Sequence, residues 1–256
     1  MTDDELYLFD LNGFIVIEGL LSADEVDRCN QAIDHQIAAD VAKVIERPPA
    51  GTLDGGSSVM AGTSRRLDMQ GDMLAWERPW CDPFRDLIVH PRLKPYLEAI
   101  LEEGFRVDGG VEFMATHPGV EGHVLHGGGV ERDNFSDDYC FKAGRIYSGM
   151  IVAELALADE GPNDGGIALI PASHKANLRC PDRMRLTEAY QEHIRKVPVK
   201  AGDVVLFYRN DDPRCPVLAG ESSAPHDSHP ILPRVHRLPQ DEAITGRSRI
   251  HGRHDR

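Results

Sequence analysis

The sequence lacks several features that would place a protein in a common class at once. Its five cysteines are an odd number and include no CxxC pair, which disfavours a disulfide framework. No window approaches the roughly 18 uninterrupted apolar residues of a membrane span. The opening MTDDELYLFD is acidic and lacks the basic-then-apolar order of a secretory signal. We therefore expect a cytoplasmic protein with free thiols and no membrane association.

Positive charge is also scarce. The chain has 28 Lys and Arg against 42 Asp and Glu, a formal net charge of −14. Binding to a phosphate backbone depends on patches of Lys and Arg, so we expect no nucleic-acid partner. A chain of 256 residues that is 41% hydrophobic is large enough to bury the core of one large domain.

The first hundred residues predict a strand followed by helices. An apolar strand covers residues 14–17, after which Ser22 fits an N-cap and Glu25 completes a capping box. Apolar residues recur at a helical period, which predicts a helix from about Ala23 to Val44. A second helix is predicted over residues 83–103, with a break at its central proline.

From Phe105 onward the sequence pattern changes to short runs rich in β-forming residues. FRVDGGVEFMA, RIYSGMIVAELAL, GGIALIPAS and VPVKAGDVVLFY are separated by Gly, Asp, Asn and Pro. This punctuation is typical of an antiparallel sandwich or barrel. Helices first and strands afterwards predict an α+β fold that is mainly β, with N-terminal helices packed on a β core.

Three segments of the β-rich region carry the candidate chemistry. LHGGG places His126 where a strand runs into a glycine loop, NDGGIALIPASHK is a turn, strand and polar exit, and VPVKAGDVVLFY is a strand, turn and strand. Taken alone, a histidine beside glycines is more often a loop residue than a metal ligand. Their order along the chain, however, resembles the phytanoyl-CoA dioxygenase family. NGFIVIEGLLSADEVD resembles the family's opening, and the resemblance covers residues 11–207.

The resemblance implies both a fold and a reaction. The fold is a double-stranded β-helix, a cupin-like jelly roll. The implied activity is a dioxygenase that uses Fe(II), O₂ and 2-oxoglutarate as cosubstrate to hydroxylate a small organic substrate. The family's iron is held by a His-x-Asp motif and a distal His, a facial triad that leaves positions open for the cosubstrates.

The resemblance places the first ligand at His126, but the residue two positions on is Gly128 instead of Asp. Three interpretations remain open. The carboxylate comes from Glu131 or Asp133, presented by the glycine turn; or a halide occupies the place beside Gly128, as in related radical halogenases; or the chain binds iron poorly or not at all. The rival to an enzyme is a non-catalytic jelly-roll binding protein. His174, in the ASHK sequence, is expected to be structural.

The segment from residue 208 to 256 departs from the family. The family continues with a distal His and an Arg for the far carboxylate of 2-oxoglutarate, a role suited to a guanidinium. Here there is no lysine, no aromatic after Tyr208 and no apolar period. Composition predicts a disordered, irregular tail. The resemblance then implies a domain at 1–207 that lacks its last strands. Within this tail His226 and His229 are the nearest candidates for the distal ligand, and Arg234 is the nearest substitute for the Arg.

The genetic code offers a further hypothesis for this tail. Reverse translation with degenerate codons, shifted forward by one base, permits a His-Gly pair and then an Arg in the family's order. The segment 208–256 is then translated out of frame, through a natural frameshift or a sequencing error.

Overall fold

The computed structural model describes residues 1–39, 43–47, 66–70, 73–115, 122, 124–126, 139–162, 166–208, 220–222 and 230–237. Within these ranges the helices are α1 Asp3–Asn12, α2 Ala23–Ala38, α3 Asp82–Ile88, α4 Lys94–Leu101 and α5 Asp182–Arg185. The strands are β1 Phe14–Ile17, β2 Lys43–Arg47, β3 Arg66–Gln70, β4 Phe105–Ala115, β5 Cys140–Lys142, β6 Arg145–Tyr147, β7 Met150–Ala156, β8 Gly166–Leu169, β9 Arg195–Lys196, β10 Val204–Tyr208, β11 Gly220–Ser222 and β12 Pro230–Arg237.

Capping boxes define the starts of the first two helices. The Ser22 hydroxyl accepts a hydrogen bond from the Glu25 amide, and the Glu25 carboxylate accepts one from the Ser22 amide, which confirms the predicted start of α2. Thr2 and Glu5 form the same reciprocal hydrogen bonds at the start of α1. This helix was not predicted, although its S/T-x-x-E signature is present in the sequence.

The predicted end of α2 was wrong. The helix stops at Ala38, and residues 43–47 form β2 instead. This strand pairs with β3, and its Val44 and Ile45 are β-branched residues that favour a pleated sheet. The tertiary pairing therefore overrides an apolar spacing that also fits a helix.

The second predicted helix is divided as expected, into α3 and α4. Both have a proline at the N-terminal end, where the missing amide costs nothing. In the connection, the Nε2 atom of His90 lies 3.1 Å from the Oε1 atom of Glu25, so the helix pair is bound to the start of α2. None of the helices among the described residues has the length and apolar character needed to cross a membrane.

The larger sheet has seven antiparallel strands in the order β1-β10-β7-β12-β4-β3-β2. Every residue of β7 and β10 is buried, so this part of the sheet lies inside the hydrophobic core. Helices α1, α2, α3 and α4 contribute Phe9, Ile33, Phe84 and Ile100 to the same core, each no more than 1% exposed. The predicted packing of N-terminal helices on a β core is confirmed.

A second sheet has three strands in the order β11-β8-β9, and β5 and β6 form a separate hairpin. The predicted turn before β10 is present. Gly202 adopts a positive φ of 97°, and a Cβ there would lie 2.7 Å from the Leu21 carbonyl oxygen. The Asp203 carboxylate accepts hydrogen bonds from the amides of Gly19 and Lys200 at 2.7 and 2.8 Å, which fixes β1 against β10.

The segment 208–256 contains two strands among its described residues. Strand β11 pairs with β8, and β12 lies between β7 and β4 inside the larger sheet. This differs from the irregular tail that composition predicted. Pairing with two neighbouring strands supplies the order that the local sequence lacks, and the register shifts at Pro233, opposite the glycines at 109 and 110 of β4. A bulge accommodates a proline that has no amide to donate.

Candidate metal centre

The predicted first ligand, His126, ends a short segment that the structure describes from residue 124. Val124 and Leu125 are buried, and His126 is half-buried. The Nδ1 atom of His126 lies 3.0 Å from the Val124 carbonyl oxygen. A carbonyl only accepts, so Nδ1 is the donor, and in the neutral ring Nε2 is the nitrogen with a lone pair. A backbone hydrogen bond of this kind fixes the tautomer in metal-ligating histidines.

Two sets of contacts hold the residue before His126. The Leu125 amide donates to the Arg185 carbonyl at 3.1 Å, and the Nε–H of Arg185 donates back to the Leu125 carbonyl at 3.4 Å. The Leu125 side chain is fully buried and packs with Ala168 of β8. The candidate ligand therefore follows a residue that is fixed both by its backbone and by its side chain.

The other predicted ligands lie outside the described residues. These are Glu131 and Asp133 in the glycine-rich segment, and His226, with its neighbour His229, between β11 and β12. Gly128 is also outside them. Within the part of the chain that the structure describes, no group of three or more His, Cys, Asp or Glu side chains is arranged to hold a metal ion.

Arg234, the predicted substitute for the cosubstrate-binding Arg, lies on β12. Its backbone pairs with Asp108 of β4 and Val152 of β7, so it occupies the middle of the larger sheet. Strands β11 and β12, which precede and follow His226 in the chain, belong to different sheets.

His174 has a structural role, as expected. Its Nε2–H donates to the Asp10 carbonyl at 3.0 Å, and its ring stacks on Tyr208 with centroids 4.8 Å apart. The side chain is 7% exposed. Burial, together with the nearby Lys175 charge, lowers the pKa of His174 to about 4, so the ring is neutral at physiological pH.

A polar cluster around Asp10 went unrecognised in the sequence. The Tyr139 hydroxyl donates to one Asp10 oxygen, and the Lys175 ammonium lies 2.8 Å from the other. Burial raises the pKa of Asp10, but the hydrogen bonds from Lys175 and Tyr139 outweigh it, so the pKa is lowered overall. Burial and the Asp10 carboxylate raise the pKa of Tyr139. These residues are more than 120 positions apart from Asp10, and no local pattern predicts such contacts.

Residues 9–210 match the family model of phytanoyl-CoA dioxygenase. No curated protein matches the sequence.

Solved structures share the fold. HygX from Streptomyces hygroscopicus, with nickel and 2-oxoglutarate bound, is 21% identical over 93% of this chain and 87% of its own, with a TM-score of 0.68. SnoN, a non-heme α-ketoglutarate-dependent epimerase of nogalamycin biosynthesis, is 17% identical over 92% and 82%, at 0.59. AviO1 from Streptomyces viridochromogenes Tue57 is 15% identical over 94% and 96%, also at 0.59. At these identities the likeness establishes the fold.

Proposed function

Because the chain belongs to the phytanoyl-CoA dioxygenase family, we propose that it is an oxygenase that depends on Fe(II) and 2-oxoglutarate. One observation carries the proposal. The hydrogen bond from His126 Nδ1 to the Val124 carbonyl leaves Nε2 as the ligating nitrogen, at the position where the family has its first iron ligand. An imidazole held in this tautomer fits a divalent iron site.

The remaining ligands are proposed from the sequence. In the sequence as given, Glu131 or Asp133 supplies the carboxylate in place of the absent Asp, His226 supplies the second imidazole, and Arg234 binds the far carboxylate of 2-oxoglutarate. A corrected reading frame beyond Phe207 would replace the last two residues. These residues would hold Fe(II), which would supply the oxidation of an unactivated C–H bond, with O₂ and 2-oxoglutarate consumed and succinate and CO₂ released. The protein's own part is to hold the iron and to orient the substrate.

The substrate is proposed to be a small organic molecule. Structures with a similar fold include HygX with hygromycin B bound and SnoN in complex with nogalamycin RO, which supports a substrate of that size class. Hydroxylation is the proposed outcome. The cytoplasm is the proposed compartment, and the four free cysteines of the described residues support it.

The sheet order supports a double-stranded β-helix. The larger sheet contains the run β4-β12-β7-β10, and the smaller sheet has the order β11-β8-β9. The chain therefore passes from the larger sheet at β7 to the smaller one at β8 and β9. It returns to the larger sheet at β10, enters the smaller one again at β11, and ends in the larger one at β12. Leu125 packs against β8, which places the His126 segment beside the smaller sheet.

We also retain the proposal that residues beyond Phe207 are translated out of frame. The family model ends at residue 210. From Tyr208 to Arg256 the chain has no lysine and no further aromatic residue. Sequencing the coding DNA near codon 207 in independent clones tests this proposal, and an uninterrupted frame in all of them contradicts it.

The test of the oxygenase is an anaerobic titration of the full chain with Fe(II) in the presence of 2-oxoglutarate. We expect the weak charge-transfer band of the iron–2-oxoglutarate complex in the wild type and its loss in His126→Ala. His193→Ala is the matched control, since His193 is 64% exposed, and it should retain the band. Absence of the band in the wild type, with the reading frame confirmed, favours a non-catalytic binding protein.

A radical halogenase is the second candidate, and the glycine at position 128 favours it. Adding chloride to the iron complex should shift the band if a halide binds beside Gly128. The Gly128→Asp variant should then lose this chloride response, because the carboxylate fills the halide's place. A wild-type spectrum that chloride does not change leaves hydroxylation as the proposed outcome.

A further inference from the structure

Arg185, a residue that has no role in the proposed iron site, contacts the segment before His126. Arg185 is the last residue of α5, 60 positions from Leu125. Both its backbone and its side chain form hydrogen bonds with Leu125. Its carbonyl accepts from the Leu125 amide at 3.1 Å, and its Nε–H donates to the Leu125 carbonyl at 3.4 Å.

The guanidinium is held in place from its own helix. Its NH1 group lies 3.3 Å from the Oδ1 atom of Asp182, three residues earlier. The Arg185 side chain is only 15% exposed, so its position is set by packing as well as by charge. Arg179 pairs with the same Asp182 oxygen at 3.0 Å but is 53% exposed. The two arginines thus share an acidic partner, and Arg185 is the one with a contact to Leu125.

We propose that Arg185 is a positioning residue that orients His126 for metal binding by fixing the peptide group immediately before it. The inference rests on the proposed function. The Leu125 carbonyl belongs to the peptide that links Leu125 to His126, so its direction determines where the His126 backbone begins. The imidazole is held by Val124 on one side, and the guanidinium holds the intervening peptide. Without the Arg185 Nε–H, the Leu125 carbonyl loses its charged donor, and the direction of the His126 ring is less restricted.

The test compares the full-length chain with Arg185→Gln and Arg179→Gln, using Ni²⁺ as the probe. Both variants remove one arginine from Asp182, but only the first removes the donor to Leu125. Loss of an outer hydrogen bond that orients a ligand typically weakens metal affinity by about 10- to 100-fold. Since Arg185 acts through a neighbouring residue, we expect about a tenfold weaker Ni²⁺ affinity in Arg185→Gln and wild-type affinity in Arg179→Gln.

Thermal unfolding of the metal-free variants separates orientation from general stability. A Ni²⁺ affinity in folded Arg185→Gln equal to that of Arg179→Gln overturns the inference. If Arg185→Gln does not fold, Arg185→Met keeps an unbranched side chain for packing but has no N–H donor, and wild-type affinity in that variant overturns the inference as well. If the wild type binds no Ni²⁺, both the proposed function and the inference are overturned. If His126→Ala loses Ni²⁺ binding while Arg185→Gln binds Ni²⁺ as the wild type does, only the inference is overturned.

Discussion

A methyl group added at Gly13 should destabilise the protein strongly. Gly13 follows α1 with a φ of +85°, and a Cβ built there would lie 2.3 Å from the Nδ1 atom of His174. The imidazole has little freedom to move away. Its Nε2 is bonded to the Asp10 carbonyl, one face stacks on Tyr208, and Tyr139 packs edge-on against it at 4.8 Å.

The magnitude follows from two costs and one small gain. A left-handed backbone costs a residue with a Cβ about 1–2 kcal/mol. Forcing extra volume into a packed interior costs about 1–3 kcal/mol more. Lower entropy of the unfolded chain returns about 0.4–1 kcal/mol. The expected loss for Gly13→Ala is therefore about 3 kcal/mol in unfolding free energy, or about 6–12 °C in Tm for a chain of this size.

Urea and thermal unfolding measure this loss, and Gly19→Ala is the matched control. Gly19 also has a positive φ, of +53°, but no atom of the described residues lies within 4 Å of its Cβ position. The substitution there carries the backbone cost alone, about 1 kcal/mol net. A double-mutant cycle with His174→Ala should show that the two substitutions are not additive, because removing the ring removes the clash. The reasoning is refuted if Gly13→Ala costs no more than Gly19→Ala.

Three other measurements test the remaining structure. The pKa of His174 is near 6.5 in the unfolded chain and about 4 in the folded protein, so the unfolding free energy should fall by up to about 3 kcal/mol as the pH is lowered between these values. His174→Phe should lack this loss of unfolding free energy. A pH dependence of stability in His174→Phe equal to that of the wild type would contradict the prediction. Ser22→Ala should cost about 1 kcal/mol through loss of the α2 cap, measured by urea unfolding. Among the four cysteines that the structure describes, a thiol reagent followed by peptide mapping should modify exposed Cys140 before buried Cys29, because burial raises the pKa of Cys29 to about 12. Early labelling of Cys29 would argue against the packing of α2.

The N-terminal elements were predictable because their signals are local. The Ser22–Glu25 capping box and the apolar strand at 14–17 are encoded within a few residues, and the structure has both. The resemblance to the family was confirmed by a match over residues 9–210. The end of α2 was not predictable in the same way, because the pairing of β2 with β3 decides it.

Cys140 shows a similar effect. Cysteines are usually buried, but the β5–β6 hairpin places Cys140 at the surface. Cys180, in contrast, is partly buried beside the cluster of Leu125 and Ala168. Burial of a small residue depends on what packs above its element, which a single sequence does not specify.

The sequence by itself determined the helix starts and the β-rich second half, because each depends on residue types at short spacing. The order of its segments along the chain implied the family, and through that resemblance the candidate ligand His126. The tertiary structure decided the contacts that give those residues a role. Arg185 reaches Leu125 across 60 positions, and Asp10 joins Lys175 and Tyr139, because side chains distant in the chain meet only when strands and helices pack. The place of β12 between β7 and β4 was decided in the same way, since backbone pairing with two partners orders a segment whose composition alone predicts disorder.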